Sequence, residues 1–427
     1  MATEAKKTNR WTWIPSLYFA EGLPFVAAMT VSVIMYKRLG ISNAELAFFT
    51  SWLYLPWVIK PLWSPIVDIL RTRRFWIVAM QLLIGAGFAA VALSLPADNF
   101  FRYSLAAFWL IAFSSATHDI AADGFYILGL SDHEQAWFVG IRNTFYRLAM
   151  ITGQGILVMV AGYFEQTTGD TAYAWSIVFY LLTAVYIVLY AWHRRVLPRQ
   201  DSDVAGEIRS LQDLLREFVA TFVAFFSKKY IGRILAFLLL YRFAEAQLVK
   251  LAPPFLLDER SVGGLELATA EVGFVYGTIG VLMLTIGGLL GAYLAARHGL
   301  KYWMWWMAAA INLPNAVYIA LAYLTPDSLL AVNLAVGLEQ FGYGFGFTAY
   351  TLYMLYVARG AHSTAHFAIC TGFMALGMML PGMFSGWLQE LLGYQHFFIW
   401  VVLAAVPSFA VVAMIPLDAD FGRNNSG

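Results

Sequence analysis

Residues 101–128 read FRYSLAAFWLIAFSSATHDIAADGFYIL. These 28 residues would extend about 42 Å as an α-helix, more than the roughly 30 Å hydrocarbon core of a bilayer. Yet His118, Asp119 and Asp123 lie well inside the run. Ionisable groups at membrane depth are costly, so they face a bundle interior or a water-filled path and are functional candidates by default. The rest of the chain agrees with a lipid solvent: 60% of its 427 residues are hydrophobic, 17% aromatic and only 12% charged. A water-soluble fold must present a wettable surface, which this composition cannot supply. A net charge of +1 gives no reason to expect nucleic acid, and the single Cys370 excludes an intramolecular disulfide and a cysteine metal cluster.

Outward from that stretch, twelve runs are long and apolar enough to span: 11–37, 45–70, 75–95, 101–128, 137–163, 173–193, 230–257, 269–296, 302–323, 328–357, 364–391 and 396–415. A transmembrane β-barrel would show short alternating strands instead. Placing the N-terminus inside puts seventeen basic residues in cytoplasmic segments against four outside, so both termini are expected in the cytoplasm. The first run is too long for a cleavable signal peptide and carries Glu21. The one long polar connection divides the chain into a first six-helix bundle (1–193), a cytoplasmic linker (194–229) and a second six-helix bundle (230–427). Within the linker, Ile208, Leu211, Leu215, Phe218, Val219, Phe222 and Phe226 recur at helical spacing, which predicts an amphipathic helix on the membrane surface.

Ten ionisable residues lie at membrane depth: Glu21, Lys60, Asp119, Asp123, Arg142, Arg147, Arg242, Glu245, Lys250 and Glu339. The first, fourth, seventh and tenth runs all carry charge, whereas the third, sixth, ninth and twelfth carry none. A period of three helices fits nested repeats whose first members line a shared cavity, the plan of the major facilitator superfamily. Glu21, Asp119, Arg147 and Glu339 each lie about 13–15 Å from a helix end, near the midplane. In antiparallel fourth and fifth helices, Asp119 is level with Arg147 and Asp123 with Arg142, while Arg142 also has Asp68 within its range. Arg147 shares a face with Gly140, Asn143 and Gln154, a stripe suited to a cavity wall. The segment Ser64-Pro-Ile-Val-Asp68-Ile-Leu-Arg71-Thr-Arg73-Arg74 resembles the superfamily's signature between helices 2 and 3, in which a carboxylate and basic residues lock one side shut. On that reading Asp68, Arg71, Arg73 and Arg74 are gating residues, and Asp123 and Arg142 a structural pair.

A closer resemblance runs from about residue 11 to 415. Ala20-Glu21-Gly22-Leu23-Pro24, Lys60-Pro-Leu-Trp63-Ser64-Pro65, Ser115-Ala116-Thr-His118-Asp119, Tyr146-Arg147-Leu148, Leu240-Tyr241-Arg242-Phe-Ala-Glu245, Glu339-Gln-Phe-Gly342-Tyr-Gly344 and Ala365-His-Phe367-Ala368 resemble AmpG-type permeases. The resemblance implies a bacterial inner-membrane importer of anhydro-muropeptides (GlcNAc–1,6-anhydro-MurNAc, with or without peptide), driven by the proton-motive force. Related branches resemble siderophore importers, which makes a siderophore the alternative solute.

The chemistry such transport needs can be assigned to residues. A buried carboxylate can take a proton on one side of the membrane and release it on the other, for which Glu21, Asp119, Glu245 and Glu339 are candidates. His118 is a candidate relay, set against a plain hydrogen-bonded helix contact. Arg242 and Glu245, at i and i+3, are expected to pair until substrate intervenes. Tyr343 and Tyr350 share the Glu339 face and suit stacking on a sugar ring. With these, Glu21, Asn143, Arg147, Gln154, Arg242 and Glu339 make up the expected cavity. His362 and His366 have metal-compatible spacing but no third ligand, so neither metal nor cofactor is expected. An intramembrane enzyme is the remote alternative, and no nucleophile–base set, metal set or phosphate cradle speaks for it. The expected partners are a small polar solute, protons and lipid, with the protein a monomer.

Overall fold

The computed structural model describes residues 9–199, 203, 211–360, 362–418 and 421, apart from the side chains of 68, 69, 132, 136, 211–215 and 217. The described residues form helices and connections, with no strand among them. Twelve helical passages follow the twelve apolar runs. They are α1 (Arg10–Arg38), α2 (Asn43–Trp52 and Leu55–Leu70), α3 (Arg73–Ser94), α4 (Phe100–Gly129), α5 (His133–Thr168) and α6 (Thr171–Val196). After the linker come α7 (Ile231–Leu240 and Phe243–Leu257), α8 (Thr269–His298), α9 (Leu300–Leu324), α10 (Leu329–Ala358), α11 (363–392) and α12 (394–414).

Eight stretches are long and apolar enough to span by length and composition alone, and the shortfall from twelve has local causes. Both α2 and α7 are interrupted, at Leu53–Tyr54 and Tyr241–Arg242, so neither is one long helix. In α10, Glu339, Asn333 and the glycine–tyrosine content lower the hydropathy. Helices α11 and α12 form one apolar stretch and part at Gly393, whose φ of 71° is a conformation that glycine adopts without steric cost.

The core is built where helices meet. The largest buried cluster joins α1, α3, α4 and α6 of the first six helices to α7 and α12 of the second six, with Tyr36, Phe108, Trp175, Tyr186, Phe255 and Phe398 fully enclosed. Lipid-facing positions carry the exposed apolar residues, such as Leu93, Val188, Leu289 and Leu334. In the linker, the helix Leu211–Phe226 lies against α11: Phe225 is buried and its ring meets His366 and Phe373. Val219, Val223 and Phe226 remain exposed, whereas Ile208 lies outside the described residues.

Hydrogen bonds and ion pairs that cross between the first and second six helices all gather, among the described residues, towards the end of the molecule opposite the termini. Lys37 meets Asp258 at 2.5 Å and also donates to Asn43. Asn43 donates to Gln389 at 2.7 Å, Tyr394 at 2.9 Å and Asp258 at 3.3 Å, while Tyr394 donates to Asp258 at 2.6 Å. Beside them, Glu390 accepts from the Ala44 amide and Glu165 accepts from both Arg38 and Thr269. Glycines let the backbones close up: a Cβ on Gly386 would lie 1.9 Å from the Asn43 carbonyl oxygen.

Candidate transport path

In the first six helices, Glu21, Asp119 and Asp123 converge from α1 and α4, with one oxygen from each within 4.8 Å of the others. Cations from two more helices meet them. Lys60 of α2 bonds to Asp119, and Arg142 of α5 bonds to Asp123 at 2.9 Å while its guanidinium lies 4.3 Å from the Tyr18 ring centroid. Tyr18 donates to Asp123 at 3.2 Å. Glu21 is nearly enclosed and its Oε2 has no hydrogen-bond partner among the described residues. Three carboxylates against two cations leave a site one charge short of neutrality, at Glu21. Two of the three carboxylates already have beside them the positive charge that a metal would bring.

The expected level pairing of Asp119 with Arg147 is not what forms. Helix α2 packs against α4, and Lys60 reaches Asp119 from that side. Arg147 instead donates to Met150 Sδ within its own turn, at 3.3 Å. It is half-buried on the same face of α5 as the exposed Gly140 and Asn143, with Gln154 buried further along the helix. Arg142 does pair with Asp123; the side chain of Asp68 lies outside the described residues. Arg71 is exposed, its guanidinium 5.6 Å from the Phe75 ring centroid. The Arg73 and Arg74 amides donate to Asp203, and the Arg74 side chain to the carbonyls of Leu197 and Arg194. These arginines tie the α2–α3 turn to the end of α6 and the linker, within the first half of the chain.

His118 belongs to a different network. Its Nε2 lies 3.0 Å from the Gln81 amide, which meets His193 Nδ1 at 2.8 Å, and His193 Nε2 lies 2.9 Å from Ser16 Oγ. His118, Gln81 and His193 are fully buried, and with Ser16 they join α4, α3, α6 and α1.

In the second six helices, the expected Arg242–Glu245 pair is replaced by another arrangement. Helix α7 breaks at Tyr241–Arg242, where Arg242 has φ −108° and ψ 20°, so the i, i+3 face is lost. Arg242 turns to α10, donating to the Tyr343 hydroxyl at 2.6 Å with its guanidinium 4.9 Å from the Phe347 centroid. Glu245 is fully buried and neither carboxylate oxygen has a partner among the described residues. Glu339 accepts from Gln340 at 3.0 Å through Oε2, while Oε1 has no hydrogen-bond partner among the described residues. Tyr343 is half-buried, but Tyr350 is not available to a solute. Its hydroxyl donates to the Leu238 carbonyl at 2.6 Å and its ring stacks on Tyr241 and Phe237, which places it in the core.

Sequence reasoning missed the crossing network of Lys37, Asn43, Asp258, Gln389 and Tyr394. Their only signal was that polar residues cluster at or beside those ends of the first, second, seventh, eleventh and twelfth runs that lie opposite the termini, which reads equally as ordinary loop polarity.

Comparison with known proteins places this geometry. The family model described as Major Facilitator Superfamily matches residues 16–369. The chain is 28% identical over 421 residues to the anhydromuropeptide permease of Escherichia coli K12, covering 96% of this chain and 80% of that protein. A putative transporter, AmpG 4, of Rickettsia conorii is 23% identical, with 96% and 97% covered. Among solved structures, the nucleoside transporter NupG superposes with a TM-score of 0.66 at 17% identity, covering 95% of this chain and 98% of that one. The D-xylose–proton symporter superposes with a TM-score of 0.63 at 13% identity, covering 96% and 98%. From its helices, its buried charges and these matches, the chain belongs to the Major Facilitator Superfamily and is a multi-pass membrane permease rather than an enzyme.

Proposed function

We propose that this permease imports anhydro-muropeptides across the bacterial inner membrane by alternating access between two six-helix bundles, with proton movement as the driving force. The observation that carries the coupling is Glu245: a fully buried carboxylate midway along α7, with neither oxygen hydrogen-bonded among the described residues. An unpaired carboxylate in an apolar site is costly when charged and cheap when protonated, so it suits proton uptake and release. Glu21 and Glu339, each with one oxygen unpartnered among the described residues, are the accompanying candidates. Asn143, Arg147, Gln154, Arg242 and Tyr343 are proposed to line the solute's path, with Asp119 and Asp123 held by their cations as the wall. The substrate class rests on the relatives, two of which are the E. coli anhydromuropeptide permease and a putative AmpG transporter. Both termini lie in the cytoplasm in this reading, so the crossing network seals the periplasmic end and the conformation is inward-facing.

The test is uptake of labelled GlcNAc–1,6-anhydro-MurNAc into proteoliposomes of the purified protein, with and without an inward proton gradient. Accumulation above equilibrium only with the gradient is expected. Arg147→Ala should abolish uptake, and Glu245→Gln should leave downhill exchange but remove accumulation. Uphill uptake by Glu245→Gln would assign the proton to another carboxylate. Absence of uptake in competent vesicles would turn the substrate to a ferric siderophore.

A further inference from the structure

Lys250 has a position that none of the roles above uses. It lies on α7 between Glu245 and Asp258, is 4% exposed, and its ammonium donates to Thr50 Oγ1 of α2 at 3.0 Å. Tyr54 lies further off, its ring centroid 5.8 Å from Nζ, and a Cβ on Gly382 of α11 would come 3.7 Å from Lys250 Cε. No carboxylate lies within 4 Å of this ammonium among the described residues, in contrast to Lys37, Lys60 and Arg142, each of which has an aspartate. A buried cation with one neutral partner is expensive, because a single hydroxyl replaces only part of its hydration. Its bond to Thr50 also crosses between the two halves of the chain, so it cannot survive their separation at this end.

We infer that Lys250 is the docking point for a carboxylate on the transported solute, reached from the outer side once the halves part there. Separation breaks the bond to Thr50 and exposes an ammonium that carries no internal counter-ion. An anionic group entering the cleft supplies the missing charge, and its release towards the other side lets Lys250 return to Thr50 as the outer end closes. The solute class is therefore a polar molecule bearing a carboxylate near its sugar or peptide portion, not a neutral one. This inference rests on the importer reading above. Anhydro-MurNAc meets its requirement through the lactyl carboxylate.

The experiment compares uptake of GlcNAc–1,6-anhydro-MurNAc with that of its lactyl amide, in proteoliposomes of wild type, Lys250→Met and Lys250→Arg. Wild type is expected to favour the acid, and Lys250→Met to raise KM for the acid by about tenfold or more, as loss of a charge-assisted hydrogen bond implies. The amide's KM should stay within about twofold under the same change, the amide never having had that bond. Lys250→Arg should keep the preference for the acid, which also shows that a cation at this position supports folding and turnover. A lysine that only steadies the closed end would change both solutes alike, and that outcome overturns the inference. So does equal handling of acid and amide by wild type, which leaves the importer reading standing. Uptake of neither solute by wild type overturns that reading and the inference together.

Discussion

At the residue scale, the sequence marked ten charges at membrane depth, but only the folded chain shows which of them satisfy one another. Lys60 and Asp119 are 59 positions apart, and nothing in their spacing links them; α2 packing on α4 does. Arg242 and Glu245 are three apart, and the helical rule that should pair them fails because the helix breaks at Arg242 itself. Breaking the Lys60–Asp119 pair takes from Lys60 the carboxylate bonded to it and leaves the ammonium only the Glu21 and Asp123 carboxylates of the same cluster, neither of which forms an ion pair with it. Asp119→Asn should therefore lose about 3 kcal/mol, the low end of the range for buried pairs because both side chains keep 17–18% exposure. Thermal unfolding in detergent measures this loss. The double replacement Lys60→Met with Asp119→Leu should recover most of it, since a well-packed apolar pair removes the desolvation cost.

At the scale of elements, two of the helices that meet across the molecule depart from ideal α-geometry where they touch. Helices α5 and α8 each contain a π-helical segment, Ile151–Leu157 and Gly273–Gly280, and these segments face one another. A Cβ on Gly277 would lie 1.9 Å from the Gln154 carbonyl oxygen, so the approach depends on the missing side chain. Widened turns of this kind recur at functional sites. Gly277→Val should hold α5 and α8 apart and reduce uptake by roughly tenfold or more, with the helices still formed. Circular dichroism together with a spin-label distance between α5 and α8 separates this outcome from unfolding. The apolar runs gave no hint of these segments, because a π-turn changes the hydrogen-bond register and not the composition.

At the scale of the whole molecule, the end opposite the termini, which is the outer end on the importer reading proposed above, is held by a small number of polar bonds centred on Asn43. Asn43→Ala removes its donations to Gln389, Tyr394 and Asp258, each worth about 1–3 kcal/mol with the charged partner at the upper end. Losses of that size should shift the population towards an outer-open form by about tenfold or more. In a Cys370→Ser background carrying Ser51→Cys, labelling by a membrane-impermeant maleimide from outside should speed up accordingly. Unchanged labelling would mean that apolar packing, not this network, keeps the end closed. The docking of the linker helix on α11 through Phe225 was invisible in a periodicity that marks only an apolar face.

Reading the residues in order was enough to establish that the chain lives in lipid, how many times it crosses, and on which helices the charges lie, because burial in a bilayer is dictated by run length and composition. The partners came from the folded molecule. Packing gave Asp119 to Lys60, turned Arg242 to Tyr343, left Glu245 without a partner among the described residues and placed Tyr350 in the core. Hydropathy fixes depth along the membrane normal, but it says nothing about rotation around a helix axis or about where a helix breaks. Those two quantities decide whether a buried charge is satisfied, and so whether it holds the fold or is free to take part in transport.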